Sequence, residues 1–332
     1  MPEQNQLPLD IISKALWARI QSYTFDMALE KELFPEISKH NGRNISEVAL
    51  YLNMSEMSAR IILQYLCAQQ ILIYDDEGLF KNSPAIEHLL LDKAYTESLA
   101  SFSSYDYQTF KNKLYTPSPQ PWYAIREKQN SIDDNEGIDF SFFNLDHQHY
   151  WRIEKGIELA GQFNFGAYHN LLDIGGASGG WGIGITKKYP HLNYTLFDLP
   201  EVCIIARKIL SEEKSGASYN VAEGDIFNHP NFPPNTDIIL IANVLHDWNV
   251  ADMKVILGNI FSAFEKITVL ISELFINDDW NGPLLNMVQS ILVLGQDNES
   301  GWQPSYSEMC SVLEEVGFKI DKTDANLIIC SK

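Results

Sequence analysis

Two rhythms of apolar and polar residues divide the chain. From Ser13 to about Leu91 apolar residues recur three and four positions apart, as in Ile45, Val48, Ala49 and Leu52, then Met57, Ile61, Ile62, Tyr65 and Leu66, the spacing of one helix face. "NISEVALYLNMSEMSARIILQYL" predicts a helix, a short turn at Asn53 to Ser55 and a second helix. "ILIYDDEGLFKNS" then predicts two short strands around a Glu77-Gly78 turn, which completes a winged-helix pattern. After Asn170 short apolar runs ("NLLDIGG", "NYTLFDLP", "SYNVAEGDIF", "TDIILIANVLHD", "TVLISELFI", "NLIICSK") alternate with helical stretches. One of these, "NVADMKVILGNIFSAF", sets Val250, Met253, Ile256, Leu257, Ile260, Phe261 and Phe264 on one face. Such alternation predicts an α/β, doubly wound, mostly parallel sheet covered on both faces. Between the halves, "YTPSPQPW" holds three prolines and "NSIDDNEGIDFSFFN" is rich in turn formers, before helical spacing returns in "YWRIEKGIELAGQF". The predicted division is a mainly helical domain over 1–115 and a second domain, with linker helices, over 116–332.

Composition supports two ordinary globular cores: 332 residues, 45% apolar and 20% charged. Charge narrows the partners. Lys and Arg number 24 against 44 Asp and Glu, a net charge of -20 that repels nucleic-acid phosphates and anionic membranes. The segment that would read DNA in a winged helix, "SEMSARIILQYL", offers only Arg60, and the hairpin tip is Asp75-Asp76-Glu77. "MPEQNQLPLDII" has no basic region leading into an apolar one, and no run of about 18 apolar residues occurs, so a cytoplasmic protein with no membrane or nucleic-acid partner is expected. Cys67, Cys203, Cys310 and Cys330 are scattered without a C-x-x-C pair, which suggests reduced thiols and no metal site.

Candidate chemistry concentrates at "LLDIGGASGGWGIG", where glycines follow a predicted strand. In a doubly wound sheet ligands bind beyond the carboxyl ends of the strands where the chain order reverses, and a glycine turn there lets backbone approach the ligand at a helix N-terminus. The dinucleotide spacing G-x-G-x-x-G fits no register of this stretch. Asp173-Ile174-Gly175-Gly176-Ala177-Ser178-Gly179 instead resembles the first motif of S-adenosylmethionine-dependent methyltransferases, with Ala177 in place of a glycine, a change that an ordinary backbone conformation would tolerate. Asp198 in "FDLP", with Leu199 beside it, ends the second strand where a carboxylate can accept hydrogen bonds from both ribose hydroxyls. Asp225 and Ile226 in "GDIF" offer an adenine a carboxylate and an apolar wall. In "ANVLHDW" His246 and Asp247 follow the buried run and point an imidazole at the crevice, with Asn243 on the cofactor side.

In this order the motifs resemble one family over nearly the whole chain: plant caffeate-type and bacterial small-molecule O-methyltransferases, similar to acetylserotonin, hydroxyneurosporene and antibiotic-tailoring enzymes. The matching segments are the winged-helix half, "DIGGASG", "FDLPEV", "GDIF", "VLHDW", "SEL" with "PLLNM", and "GWQPSYSEMCSVLEEVGF". The resemblance implies a Rossmann-like methyltransferase domain, S-adenosylmethionine as cofactor, a small-molecule acceptor and a homodimer held by the N-terminal half. It also implies His246 as general base, with Glu273 in "ISEL", or Asp247 beside it, as the acid that orients it. Gln303 stands where many plant members carry a glutamate, and Asn298 matches a substrate-contacting asparagine. Met287 of "PLLNM" is a further candidate on the substrate side. Phe142, Phe143, Tyr150 and Trp151, just ahead of the catalytic half, are candidates to wall a planar acceptor, Phe143 and Trp151 foremost. A phenol of pKa about 10 is protonated at pH 7, and an imidazole of ordinary pKa about 6.5 can take its proton. Methylation of nitrogen, carbon or a carboxylate is the alternative within the same fold, and a ligand-sensing winged-helix regulator or a dehydrogenase the more distant ones.

Overall fold

The structure, a computed structural model, describes residues 18, 22–90, 147–214, 216–228, 230–279, 282–287, 302–324 and 326–332. The chain falls into two compact units, Met1–Asp106 and Tyr107–Lys332.

The first unit comprises helices α1 (22–30), α2 (Leu33–Lys39), α3 (Ile45–Leu52) and α4 (Glu56–Ala68), strands β1 (Leu72–Tyr74) and β2 (Phe80–Asn82), and helix α5 (Pro84–Leu90). Asn44 opens α3 with a reciprocal cap: its side chain accepts from the Glu47 N–H at 3.0 Å, and the Glu47 carboxylate accepts from the Asn44 N–H at 2.9 Å. Asn53 ends the helix in a left-handed conformation, and Ser55 caps α4 by accepting from the Ser58 N–H. The strands pair antiparallel, and the turn between them is closed by Asp75 Oδ1, which accepts from the Glu77 and Leu79 N–H groups. Val48, Ala49, Leu52, Ala59, Leu63 and Leu66 form the core with Leu33, Phe34 and Ile37. Met57 and Ile61, expected on the buried face, are 63% and 58% exposed. The apolar positions of α4 span more than one stripe, and the stripe through Ala59, Leu63 and Leu66 is the one turned inward.

The second unit begins, among described residues, with α6 (His147–Gln162) and continues β3 (Asn170–Ile174), α7 (Gly180–Lys188), β4 (Asn193–Asp198), α8 (Pro200–Glu212), β5 (Ser218–Glu223), β6 (Ile238–Ala242), α9 (Val250–Ala263), β7 (Thr268–Ser272), α10 (Tyr306–Val316), β8 (Lys319–Asp324) and β9 (Leu327–Ser331). The sheet order is β5-β4-β3-β6-β7-β9-β8, parallel from β5 to β7 and antiparallel at β9 and β8. Chain order reverses between β3 and β6, so the crevice lies beyond Ile174 and Ala242. Central strands are apolar on both faces, and β6 is buried at all five positions. On α9, Met253, Ile256, Leu257 and Ile260 are buried, whereas Val250, in the first turn, is 39% exposed. Strand β8 escapes sequence reading because "KIDKTD" has no apolar run; it is an edge strand, mostly exposed. No described helix is long and apolar enough to cross a membrane.

Candidate active site

The glycine loop joins β3 to α7 beneath the crevice. Gly175 has φ +69°, and a Cβ there would stand 2.6 Å from Val244 Cγ2, so the close approach excludes any side chain. Ala177 also has positive φ, +51°, so the ordinary conformation that would accept its methyl without strain is not the one it adopts, at a cost of about 1 kcal/mol. That conformation turns its N–H toward Asp198, whose Oδ2 accepts at 2.9 Å. Oδ1 of Asp198 accepts from the Leu199 N–H at 2.8 Å, so each oxygen keeps a lone pair for another donor. Burial pushes the Asp198 carboxyl up to about 6, against the two backbone donors that hold it down. A carboxylate at a strand end, beside a loop that a side chain would fill, fits a ribose and its nucleoside.

Asp173 lies deeper. It is 1% exposed and accepts from the Tyr194 hydroxyl at 2.6 Å through Oδ2, while burial pushes its carboxyl up to about 7. A Cβ on Gly176 would stand 2.9 Å from that same oxygen. Asp173 and Gly176 thus shape the loop from below. Asp225 accepts from the Phe227 N–H at 2.8 Å and from the Asn228 side chain, so it builds the turn after β5, where Ile226 and Phe227 pack partly against the core. Asn243, at φ +55°, donates its N–H to the Ser272 carbonyl at 2.9 Å and ties the end of β6 to β7.

His246 sits in the short 3-10 turn Leu245–Asp247 and is 8% exposed. Its Nδ1 lies 2.7 Å from Glu273 Oε2, and its Nε2 lies 3.5 Å from Asp247 Oδ1. Glu273, 1% exposed, also accepts through Oε1 from the Val244 and Leu245 N–H groups, both at 2.9 Å. One buried carboxylate therefore fixes both the turn and the imidazole it carries, and of the two acids expected to orient the ring it is Glu273 that holds Nδ1. Burial alone would depress the imidazole, but Glu273 and Asp247 outweigh it and raise His246 to about 9. Asp247, raised by burial against the pull of His246, stands at about 6. The Trp302 N–H donates to the His246 carbonyl at 2.9 Å, which brings fully buried Gln303 next to the turn.

Of the other substrate-side candidates, Trp151 is 38% exposed and meets Trp181 edge-on, and Met287 is half-buried. Phe142, Phe143 and Asn298 lie outside the described residues. Sequence reading passed over His149 and Arg152, although positions three apart on a helix share a face. His149 Nδ1 lies 3.0 Å from Ser178 Oγ of the glycine loop. Arg152 interacts with Asp173, Asp198 and Asp247, which keep its guanidinium at about 10 against the stronger effect of burial. Among the described residues no group of three or more His, Cys, Asp and Glu side chains is placed to hold a metal ion.

Known proteins resemble this chain over most of its length. A 3-hydroxy-5-methyl-1-naphthoate 3-O-methyltransferase of Streptomyces sahachiroi is 26% identical over 296 residues, covering 85% of this chain and 81% of the relative. Acetylserotonin O-methyltransferase of Gallus gallus is 24% identical over 93% of this chain and 89% of its own. The solved structure of human N-acetylserotonin methyltransferase in complex with SAM has the same fold, with a TM-score of 0.73 at 18% identity over 100% of this chain and 99% of that one. Residues 129–319 match the O-methyltransferase domain, more than half of the chain, and with the glycine loop, Asp198 and the His246 turn at one sheet edge the chain belongs to the S-adenosylmethionine-dependent small-molecule O-methyltransferase family.

Proposed function

We propose that this enzyme methylates a hydroxyl group of a small aromatic acceptor and that His246 removes the hydroxyl proton. The observation that carries this reading is the 2.7 Å contact of Glu273 with His246 Nδ1. A carboxylate on Nδ1 holds the proton there and leaves Nε2 as the acceptor, the logic of a base paired with an orienting acid. S-adenosylmethionine, when bound, supplies the methyl group. Asp198 would hold the ribose, the loop from Gly175 to Gly179 would back the rest of the nucleoside, and Ile226 would lie against the base. Proton transfer to Nε2 leaves an imidazolium that Glu273 and Asp247 stabilise, so no metal is needed to lower the acceptor's pKa. The 3-hydroxy-5-methyl-1-naphthoate 3-O-methyltransferase among the relatives carries an aromatic hydroxyl acceptor in its name and supports the acceptor class.

The test is His246→Ala. Turnover on a phenolic acceptor should fall by roughly 10² to 10⁴, the usual contribution of a general base, while S-adenosylhomocysteine affinity by calorimetry stays within about threefold. With His246 at about 9, the base form grows as pH rises, so wild-type kcat/KM for the acceptor should climb toward pH 9 instead of levelling near 6.5. Turnover by the alanine variant equal to wild type at neutral pH would exclude the base role and favour positioning alone.

The N-terminal unit is proposed to form a homodimer. Leu50, Met57 and Ile61 are 84%, 63% and 58% exposed there, and light scattering at micromolar concentration should report the mass of two chains rather than one.

A further inference from the structure

S-adenosylmethionine carries an α-carboxylate, and the acidic groups about the crevice, Asp198 at the ribose position, Asp173 beneath the loop and Asp247 and Glu273 around His246, offer it no positive charge. A carboxylate placed near them gains from a cation beside it. Among the described residues an arginine on α6, Arg152, brings a permanent positive charge toward the crevice from outside the motifs that the sequence offers.

Helix α6 crosses the start of α7 at backbone distance. A Cβ on Gly180 would stand 2.7 Å from Arg152 Cβ and 2.8 Å from the His149 carbonyl, so the stem of Arg152 leaves its helix directly over the first turn after the glycine loop. His149 reaches Ser178 in that loop at 3.0 Å and fixes the register of α6 over it. From this origin the guanidinium interacts with Asp173, Asp198 and Asp247, which stand at the ends of β3 and β4 and in the His246 turn. Its Nη1 is shut off from solvent. The charge therefore acts on two strand ends and the His246 turn together, and it stays ionised despite burial.

We propose that Arg152 is the residue that recognises the α-carboxylate of S-adenosylmethionine and so selects a cofactor bearing an amino-acid tail. The planar fork of a guanidinium matches a carboxylate with two parallel hydrogen bonds. Its stem stands over the first turn after the glycine loop, next to the backbone that would carry the cofactor beyond its nucleoside. The inference rests on the ribose being held at Asp198 as proposed above.

Calorimetry with three ligands separates the two readings. S-adenosylhomocysteine has the whole tail, its decarboxylated analogue keeps the amine and lacks only the carboxylate, and 5′-methylthioadenosine has no tail. Wild type should bind S-adenosylhomocysteine at least about 10-fold more tightly than the decarboxylated analogue, the scale of a charge-assisted pair. In Arg152→Met that preference should vanish, with S-adenosylhomocysteine weakened about 10- to 100-fold and the other two ligands within about threefold. Arg152→Lys, which keeps the charge and loses the fork, should fall between. Absence of the preference in wild type overturns the proposal without any variant, and equal weakening of all three ligands in Arg152→Met overturns it in favour of a structural role. Asp198→Ala reports on the other reading: it should weaken all three ligands, and if it weakens none the ribose assignment fails while the Arg152 result stands by itself.

Discussion

Glu273 makes three hydrogen bonds with two oxygens, and the change of a single atom tests which of them matters to chemistry. In Glu273→Gln the amide oxygen can still accept from the Val244 and Leu245 N–H groups, so the turn should keep its shape. The amide NH₂ then faces Nδ1 and donates to it, which moves the imidazole proton to Nε2 and leaves no lone pair toward the acceptor. Turnover should drop by about 10² to 10⁴ with S-adenosylhomocysteine affinity nearly unchanged. The residual activity should also lose the inflection near pH 9, because the main charge that raises His246 is gone. Unaltered turnover would show that ring orientation is set elsewhere. His246 was legible in sequence from its place after a buried strand, and Glu273 from family resemblance. Neither the pKa of about 9 nor the burial of Asp173 was legible, since both depend on which carboxylates surround a site from other strands. Ala177 shows the same limit: its residue type suggests ordinary backbone, and only the hydrogen bond to Asp198 explains why it is left-handed.

Helix α7 carries three glycines that read in sequence as one loop signal but act in different ways. A Cβ on Gly182 would stand 2.0 Å from Tyr194 Cε2, and one on Gly184 would stand 2.2 Å from the Ile153 carbonyl of α6. Gly182→Ala displaces a ring whose hydroxyl holds Asp173; Gly184→Ala meets backbone that cannot rotate away. Both should destabilise by about 1–3 kcal/mol or more, the range for overpacking, and the second should be the worse. Gly258 in α9 is the control, because a Cβ there meets nothing within 4 Å. Gly258→Ala should stabilise by about 0.5–1 kcal/mol, the ordinary helix preference for alanine. Chemical denaturation of the three variants checks the opposite signs, and a stabilising Gly184→Ala would mean that α6 and α7 do not cross at this distance. Element identity and sheet class were readable from periodicity because β3, β4, β6 and β7 are apolar runs between amphipathic helices. The polar edge strand β8 and the α6–α7 crossing were not, since the first has no apolar face to betray it and the second is set by the absence of side chains.

At the scale of the whole molecule, charge and burial act in one direction. The chain carries -20 at neutral pH, so self-repulsion in the compact state grows with pH. Burial has raised Asp198 and Asp247 to about 6 and Asp173 to about 7, which means the folded protein holds protons that the unfolded chain releases between about 4 and 7. His246, raised to about 9, contributes stability that is fully present below about 6.5 and is lost as pH rises through 9. Carboxylates that hydrogen bonds hold low, such as Glu36 and Asp75, weaken the fold only further toward acid. The ligand-free enzyme should therefore melt highest on the acid side of neutrality and lose about 5 °C or more between pH 6 and pH 9 at fixed ionic strength. S-adenosylhomocysteine should oppose this, because hydroxyls that donate to Asp198 favour its ionised form. The melting-point gain it confers should grow as pH rises through about 6, and calorimetry in buffers of different ionisation enthalpy should detect proton release on binding below that pH. A gain that is constant with pH, or proton uptake on binding, would show that Asp198 does not meet the ribose as a carboxylate.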